Sequence, residues 1–433
     1  MILFNSSSLI NSGNSSDLGF QQIAGKKNIQ NSIKDVYKPK LQLNSLENNE
    51  NSIIWKELND IISLFNNKKT TTFNNFLKNA EVVLYNGNKM NLYQYIINKK
   101  INIDDVQLLY QHIMNRNKYL TSFYNVSLKI PSPLSSLSSP LSIDEPPMKK
   151  SNMNNNKLVK YKNIIRNMFF FEILQNTKSG LGFPTFLNVL DDLYNKHLID
   201  ARLLTPSALF YLREGRIGSV FSSFYFRASI MNPYLVFSLN KSVFKGTRIF
   251  TPTLGWGSYY YGFAESGIQK YTGVDVIPSV CNKMKKFAKK YYTTIDSEFV
   301  CCPSENLLLD KTFLKKNKEM FDVVFFSPPY FKMELYEGKE QSTTNYPNYQ
   351  DWLSNYWEKT VMLCYHVLEK KGTMSYILSG YGSKQNSFDL LHDMNSITKK
   401  YFKYIGKTPM FNKNANMTLH DETDEKILFF TKI

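Results

Sequence analysis

The strongest constraint on this chain is in its C-terminal half, where short apolar runs alternate with longer amphipathic segments from residue 248 onward. Arg248–Thr251 reads as a strand, followed by a glycine-bearing turn and a helix. Tyr271–Val274 is a second strand, Ser279–Tyr292 a lysine-rich helix, Glu298–Cys302 a third strand and Val323–Phe326 a fourth. A helix over about Tyr349–Leu368 leads to a fifth strand at Thr373–Leu378. Strands separated by helices are not joined by hairpins. They pair in parallel, with the helices crossing over the faces of the sheet. The expected fold is therefore α/β, with a mostly parallel, twisted, doubly wound sheet.

In such sheets ligands lie beyond the carboxyl ends of the strands, so the residues just after each strand are the candidates. After the first come Thr251-Pro252-Thr253-Leu254-Gly255-Trp256-Gly257. Glycines there let the backbone approach a ligand, although a tight strand-to-helix turn has the same pattern. After the second strand stands Asp275, about twenty residues on, where a carboxylate can accept hydrogen bonds from both hydroxyls of a ribose or can cap the next helix. A dinucleotide loop would continue as GxGxxG, but the position three after Gly257 is Tyr260. That argues against a pyrophosphate and for a nucleoside ligand such as S-adenosylmethionine. After the third strand, Ser304 and Glu305 are placed to meet an adenine edge, or to begin a helix.

The fourth strand ends in Ser327-Pro328-Pro329-Tyr330. An exocyclic base amine is a poor nucleophile because its lone pair is delocalised into the ring. It needs acceptors for its hydrogens and a surface on which an unstacked base can rest. Ser327 offers a side-chain oxygen. Two prolines make a rigid loop without N–H groups, so that carbonyls can face the amine. Tyr330 offers a ring for stacking.

The order Gly255-Trp256-Gly257, Asp275, Ser327-Pro328-Pro329-Tyr330 resembles the amino-methyltransferases that modify adenine N6 or cytosine N4. The resemblance covers roughly residues 200–400. It implies a Rossmann-like class I methyltransferase fold, S-adenosylmethionine as cofactor, and base flipping. It also implies that Gly255 and Gly257 lie along the methionine part, that Asp275 holds the ribose, and that Ser327, Pro328 and Tyr330 hold the base. The stretch Phe221–Tyr234, with Arg227 and Asn232, is loosely similar to the segment that precedes the first strand in that family. Two residues depart from the pattern. Thr251 stands where the family usually has an Asp, and Ser327 begins a tetrapeptide whose serine is commoner among the cytosine enzymes.

Charge points to the same partner. Over 433 residues the net charge is +17, which suits a polyanion, either nucleic acid or an anionic membrane surface. Lys283, Lys285, Lys286, Lys289 and Lys290 on the second helix fit phosphate contacts or a solvated face. The four cysteines form no CxxC pair, so no metal site is expected, and so few thiols suit a reducing compartment. Neither a leader peptide nor a membrane span is legible. A soluble intracellular protein, in cytoplasm or nucleus, is the expectation.

Upstream the signal is weaker. Residues 1–50 are rich in Asn, Ser, Gly and Lys and are expected to lack order. Helical spacing at Ile53–Phe65, Leu92–Ile97 and Val106–Met114 predicts a small helical region over 51–125. Residues 126–157 read as a Ser/Pro/Asn-rich linker or loop. The remainder, 158–433, reads as the methyltransferase domain, with its core at about 245–400 and further helices at Leu158–Leu174 and Phe183–Leu198. The expected activity is methylation of a base amine in DNA. The rivals are an RNA adenosine methyltransferase, an inactive nucleic-acid-binding subunit, and a small-molecule or protein methyltransferase, the last disfavoured by the Pro-Pro-Tyr loop and the charge.

Overall fold

The computed structural model describes residues 71–115, 169, 177–179, 186–214, 230–336, 340–380, 388–411 and 422–433. The expectations for 1–50, Ile53–Phe65 and 126–157 lie outside these residues. So do Leu158–Leu174 apart from Phe169, and Phe221–Tyr234 up to residue 229.

The chain divides into two compact units, Met1–Asn125 with Val189–Phe224, and Val126–Asn188 with Tyr225–Ile433. Residues 189–224, expected within the C-terminal domain, therefore belong with the first unit. The reason is backbone pairing. Strand β1 (Glu81–Val83) lies between antiparallel β2 (Lys89–Asn91) and parallel β3 (Leu198–Asp200), with Val82 opposite Ile199. Three-residue strands are too short to show an alternating pattern, so the sequence hides them.

Helices pack against this small sheet, and their starts follow from side-chain caps. α1 (Phe73–Asn79) begins at Thr72, α2 (Leu92–Lys99) at Asn91, α3 (Ile103–Met114) at Asn102, and α4 (Pro206–Arg213) at Thr205 with proline in its first position. Phe76, Leu92, Val106, Leu109 and Leu212 form the unit's core. Asp105, buried, accepts from Arg213 Nε at 2.6 Å and Nη2 at 2.5 Å, a bidentate pair that holds α3 to α4.

The second unit is built on a seven-stranded sheet. Its strands are β4 (Arg248–Thr251), β5 (Lys270–Asp275), β6 (Asp296–Cys301), β7 (Phe321–Phe326), β8 (Leu368–Leu378), β9 (Lys403–Phe411) and β10 (Glu422–Thr431). Their order is β9-β10-β8-β7-β4-β5-β6, and only β10 runs against its neighbours. The five strands expected from the sequence are all present. β9 and β10 lie beyond residue 400, past the expected core. Between the strands run α5 (Pro233–Leu239), which leads into the sheet, then α6 (Ser258–Glu265), α7 (Pro278–Tyr291), α8 (Lys311–Asn317), α9 (Lys359–Val367) and α10 (Leu390–Thr398).

Aromatic rings fill this core. Tyr260 lies edge-on to Tyr271 at 4.9 Å, and Tyr376 stacks on Phe430 at 5.2 Å. At the amino ends of the strands, Asp322 accepts from the N–H groups of Thr247 and Arg248, tying β7 to the start of β4. The chain steps outward from β4 to β5 and β6, then returns to β7 on the other side of β4. The connections leaving β4 and β7 thus part in opposite directions, and the carboxyl ends of these two strands are the place where open α/β sheets bind ligands. Among the described residues no helix is long and apolar enough to cross a membrane, and no three His, Cys, Asp or Glu side chains are grouped to hold a metal.

Candidate active site

At the carboxyl end of β4 three successive residues are left-handed: Gly255 (φ 53°), Trp256 (φ 57°) and Gly257 (φ 76°). The two glycines are required here. A Cβ on Gly257 would stand 2.6 Å from Met284 Sδ, and one on Gly255 would run into the Tyr259 ring. Trp256 has no such freedom. A bulky residue in this region stores strain, and such residues gather at functional sites. Its ring is held 6.3 Å from Phe169 and 6.0 Å from Tyr336, and it is buried, as is Pro252.

Asp275 ends β5 beside this turn. Its carboxylate accepts from Leu254 N at 3.3 Å and from Ile277 N at 3.1 Å. It therefore ties the glycine turn to the next strand and caps its own loop, and a carboxylate retains further lone pairs for a ligand. Burial raises its carboxyl to about 6. Thr251 is placed differently. It is fully buried, and its hydroxyl lies 2.6 Å from the Tyr271 hydroxyl, a partner inside the protein.

The Ser-Pro-Pro-Tyr loop leaves the neighbouring strand, β7. Ser327 is half-buried, and its N–H donates to Tyr259 Oη at 2.9 Å. Pro328 is buried and Pro329 half-buried. The Tyr330 ring is not an open platform. It is 1% exposed, and its hydroxyl donates to Glu425 of β10 at 3.4 Å.

Ser304 and Glu305 open a 3₁₀ turn after β6 (Ser304–Leu309), with Ser304 Oγ 3.4 Å from Thr360 Oγ1 of α9. Glu305 is 3% exposed, and its Oε1 has no hydrogen-bond partner. Burial raises its carboxyl to about 7, and its own backbone N–H and the ammonium of Lys359 only partly offset this. Two further buried hydroxyls, Ser258 and Tyr356, also lack partners. The Tyr356 phenol is held well above its usual range, first by burial and then by the charges of Glu305 and, more weakly, Asp275.

The structure thus brings together the glycine turn, Asp275 and Ser327, and sets Glu305, Thr251 and Tyr330 in the interior. Ser258, Tyr259 and Tyr356 are not legible as site residues in the sequence. The run Tyr259-Tyr260-Tyr261 at a helix start looks like core, as Tyr260 and Tyr261 indeed are. Tyr356 lies in a π-helical stretch, Leu353–Glu358, a feature frequent at functional sites but without a sequence signature.

No protein-family model matches the chain, and no curated protein matches it. Solved structures that resemble it include the N-methyltransferase NodS from Bradyrhizobium japonicum in complex with S-adenosyl-L-homocysteine, at 10% identity over 46% of this chain and 83% of that one, with a TM-score of 0.30. The putative methylase HI0767 from Haemophilus influenzae is 13% identical over 48% of this chain and 94% of that one, with a TM-score of 0.30. TrmN from Thermus thermophilus is 11% identical over 47% of this chain and 49% of that one, with a TM-score of 0.31. None of these similarities bears on what this chain acts on. The expected α/β, Rossmann-like fold with a mostly parallel sheet is the fold observed, with six strands running one way and β10 reversed beside β8.

Proposed function

We propose that the chain is an S-adenosylmethionine-dependent methyltransferase acting on an exocyclic base amine of DNA, adenine N6 or cytosine N4. One observation carries this reading. The left-handed glycine turn and the Ser-Pro-Pro-Tyr loop leave adjacent strands, β4 and β7, at the switch point of the sheet. The residues present suit a nucleoside cofactor. The left-handed backbone of Gly255–Gly257 would lie along the methionine part, with the Cβ sides of the two glycines packed on Tyr259 and Met284, and Asp275 can accept from ribose hydroxyls. Glu305 Oε1, Tyr356 Oη and Ser258 Oγ are buried polar atoms with no partner of their own. Ser304 and Glu305 would meet the adenine edge. Thr251, Pro252 and Trp256 would support the turn from behind.

When bound, S-adenosylmethionine supplies an electrophilic methyl group. The chain's own task is to make the amine nucleophilic. The hydroxyl oxygen of Ser327 and a proline carbonyl accept hydrogen bonds from the amine as positive charge develops on it, the surplus proton then leaving to water, and Pro328 and Pro329 present no competing N–H. A target base must leave its stack to reach the carboxyl ends of these strands. The net charge of +17 favours a polyanionic substrate.

The test is incubation of DNA and of RNA with the protein and isotope-labelled S-adenosylmethionine, followed by mass spectrometry of the nucleosides. Label in N6-methyladenine or N4-methylcytosine of DNA is expected. Label in RNA alone would replace the substrate, and label in neither would remove the activity. A second reading, a nucleic-acid-binding subunit without transferase activity, is favoured by the burial of the Tyr330 ring. It predicts retention of nucleic acid on a filter with no label transferred.

A further inference from the structure

We infer that Tyr259 is a positioning residue of the methyl-transfer site, its hydroxyl fixing the Ser-Pro-Pro-Tyr loop at a set place relative to the glycine turn. The inference rests on the functional reading above.

The side chains of Pro328 and Tyr330 are buried, but the main chain at the start of the loop has little to hold it. β7 ends at Phe326, which pairs with Tyr376 of β8, while the pairing with β4 stops two residues earlier, at Val324 opposite Phe250. Ser327 thus lies beyond the ladder on both sides. Pro328 and Pro329 have no N–H, so over residues 327–329 the main chain has a single donor, that of Ser327. That donor is satisfied by Tyr259 Oη at 2.9 Å, an acceptor from a side chain on another element.

Tyr259 is itself held from several sides. It is the second residue of α6, two beyond Gly257, and is 2% exposed. Its ring meets Phe325 edge-on at 5.6 Å, on the strand that carries the loop. Its phenol end lies over the glycine turn. A Cβ on Gly255 would come within 2.8 Å of the hydroxyl oxygen and closer still to the ring carbons. Burial holds the phenol above its ordinary range, so the oxygen stays a neutral hydroxyl. Leu254, next to Gly255, is bound in turn to Asp275. A continuous set of contacts therefore runs from the carboxylate assigned to the cofactor, through the glycine turn and one tyrosine hydroxyl, to the first residue of the loop assigned to the base. Methyl transfer needs donor and acceptor aligned to a fraction of an ångström. Tyr259 is the part that sets the distance between the two loops.

The test is Tyr259→Phe, which keeps the ring and removes only the acceptor, with Tyr260→Phe as control. Tyr260 lies in the same helix and its hydroxyl is 2.9 Å from Ser297 Oγ of β6, away from the loop. Three measurements are made on the full chain: amide hydrogen exchange at Ser327, the Kd for S-adenosylmethionine, and single-turnover methyl transfer to DNA. In Tyr259→Phe, Ser327 exchange should rise at least tenfold and the transfer rate fall at least tenfold, while Kd changes by less than threefold. Tyr260→Phe should leave exchange and rate unchanged. Unaltered Ser327 exchange in Tyr259→Phe would overturn the inference. So would faster exchange with a wild-type transfer rate, since the contact would then hold the loop without serving the reaction. If the wild-type protein transfers no methyl group to DNA, the functional reading fails on its own evidence, and with it the positioning role given to Tyr259. If Tyr259→Phe does not fold, incorporation of 3,5-difluorotyrosine at position 259 weakens the acceptor while keeping the ring in place. An unchanged Ser327 exchange rate in that protein would overturn the inference equally.

Discussion

Glu305→Gln should stabilise the second unit at alkaline pH and leave it nearly unchanged at acid pH. Glu305 is 3% exposed, one carboxylate oxygen has no partner, and burial lifts its carboxyl from the usual 4.5 to about 7. In the unfolded chain the proton leaves near the usual value; in the folded protein it leaves near 7. Between those limits the folded state holds more protons than the unfolded state, so stability falls as pH rises. Below about 4.5 the carboxyl is neutral in both states and nothing is lost. Above about 7 it is ionised in both, and the cost of a buried unpaired charge is complete, about 3 kcal/mol for a displacement of this size.

Glutamine has the same shape and no proton to lose. Its advantage over the wild type should therefore grow by about 2–3 kcal/mol between pH 5 and pH 8. Denaturant titrations followed by tryptophan fluorescence would measure it, because Trp256, Trp352 and Trp357 are all buried in this unit. An equal gain at both pH values, or none at pH 8, would refute the reasoning. On the proposed function the same substitution should weaken cofactor binding about tenfold, since an amide oxygen is a poorer acceptor than a carboxylate. Stability would then have been held below its optimum in favour of binding.

Asp275→Asn should reduce S-adenosylmethionine affinity by about 1–3 kcal/mol in calorimetry. Because burial raises the Asp275 carboxyl to about 6, wild-type affinity should climb as pH rises from 5 to 7 while the variant stays level, and parallel pH profiles would count against Asp275 as the ribose ligand. Gly255→Ala should cost about 1–2 kcal/mol from its left-handed backbone alone, and more from the contact with Tyr259, read as a lowered Tm together with lost cofactor binding. Lys432→Met should cost about 1–3 kcal/mol, because the buried ammonium donates to the carbonyls of Tyr365 at 2.7 Å and Leu368 at 2.6 Å; an unchanged Tm would show that water replaces it.

The sheet was legible because each of its first five strands is a short apolar run followed by a turn and a helix. Arg248–Thr251 matches to the residue and the next three to within two, while the fifth begins at Leu368, five residues before the expected Thr373, in the charged stretch Glu369-Lys370-Lys371. β9 and β10 were not read: they carry charged and polar residues such as Lys403, Lys407, Glu422 and Glu425 among their apolar ones. The positions of Gly255, Gly257, Asp275 and Ser327 were legible because each lies at or just beyond the end of a strand, and a parallel sheet gathers such positions at one edge. Their wiring was not. Nothing in Thr251-Pro252 shows that the threonine hydroxyl turns inward to Tyr271, and nothing in Ser258-Tyr259-Tyr260-Tyr261 singles out the tyrosine that reaches β7. Such contacts depend on which face of a helix meets which strand, and that is decided by tertiary packing.

Tyr330 is where the sequence and the structure differ most usefully. A stacking ring must be exposed, yet this one is 1% exposed and bonded to Glu425. The hydrogen bond is long, at 3.4 Å, so giving it up costs little, under about 1 kcal/mol. A base stacked on an aromatic ring returns about 1–3 kcal/mol. Withdrawing the ring would also expose a fully buried aromatic side chain, at a cost of about 1.5–3 kcal/mol, so stacking at best balances the movement and the hydroxyl's bond to Glu425 works against it. Tyr330→Phe should therefore transfer methyl groups at least as fast as the wild type, with a slightly lower Tm from the lost contact to Glu425. Tyr330→Ala should lose most of the transfer rate while keeping cofactor affinity. Single-turnover rates beside cofactor titrations distinguish the cases. If Tyr330→Phe is as impaired as Tyr330→Ala, the hydroxyl and its bond to Glu425 are what the site needs, and the ring serves as a buried strut rather than a surface for the base.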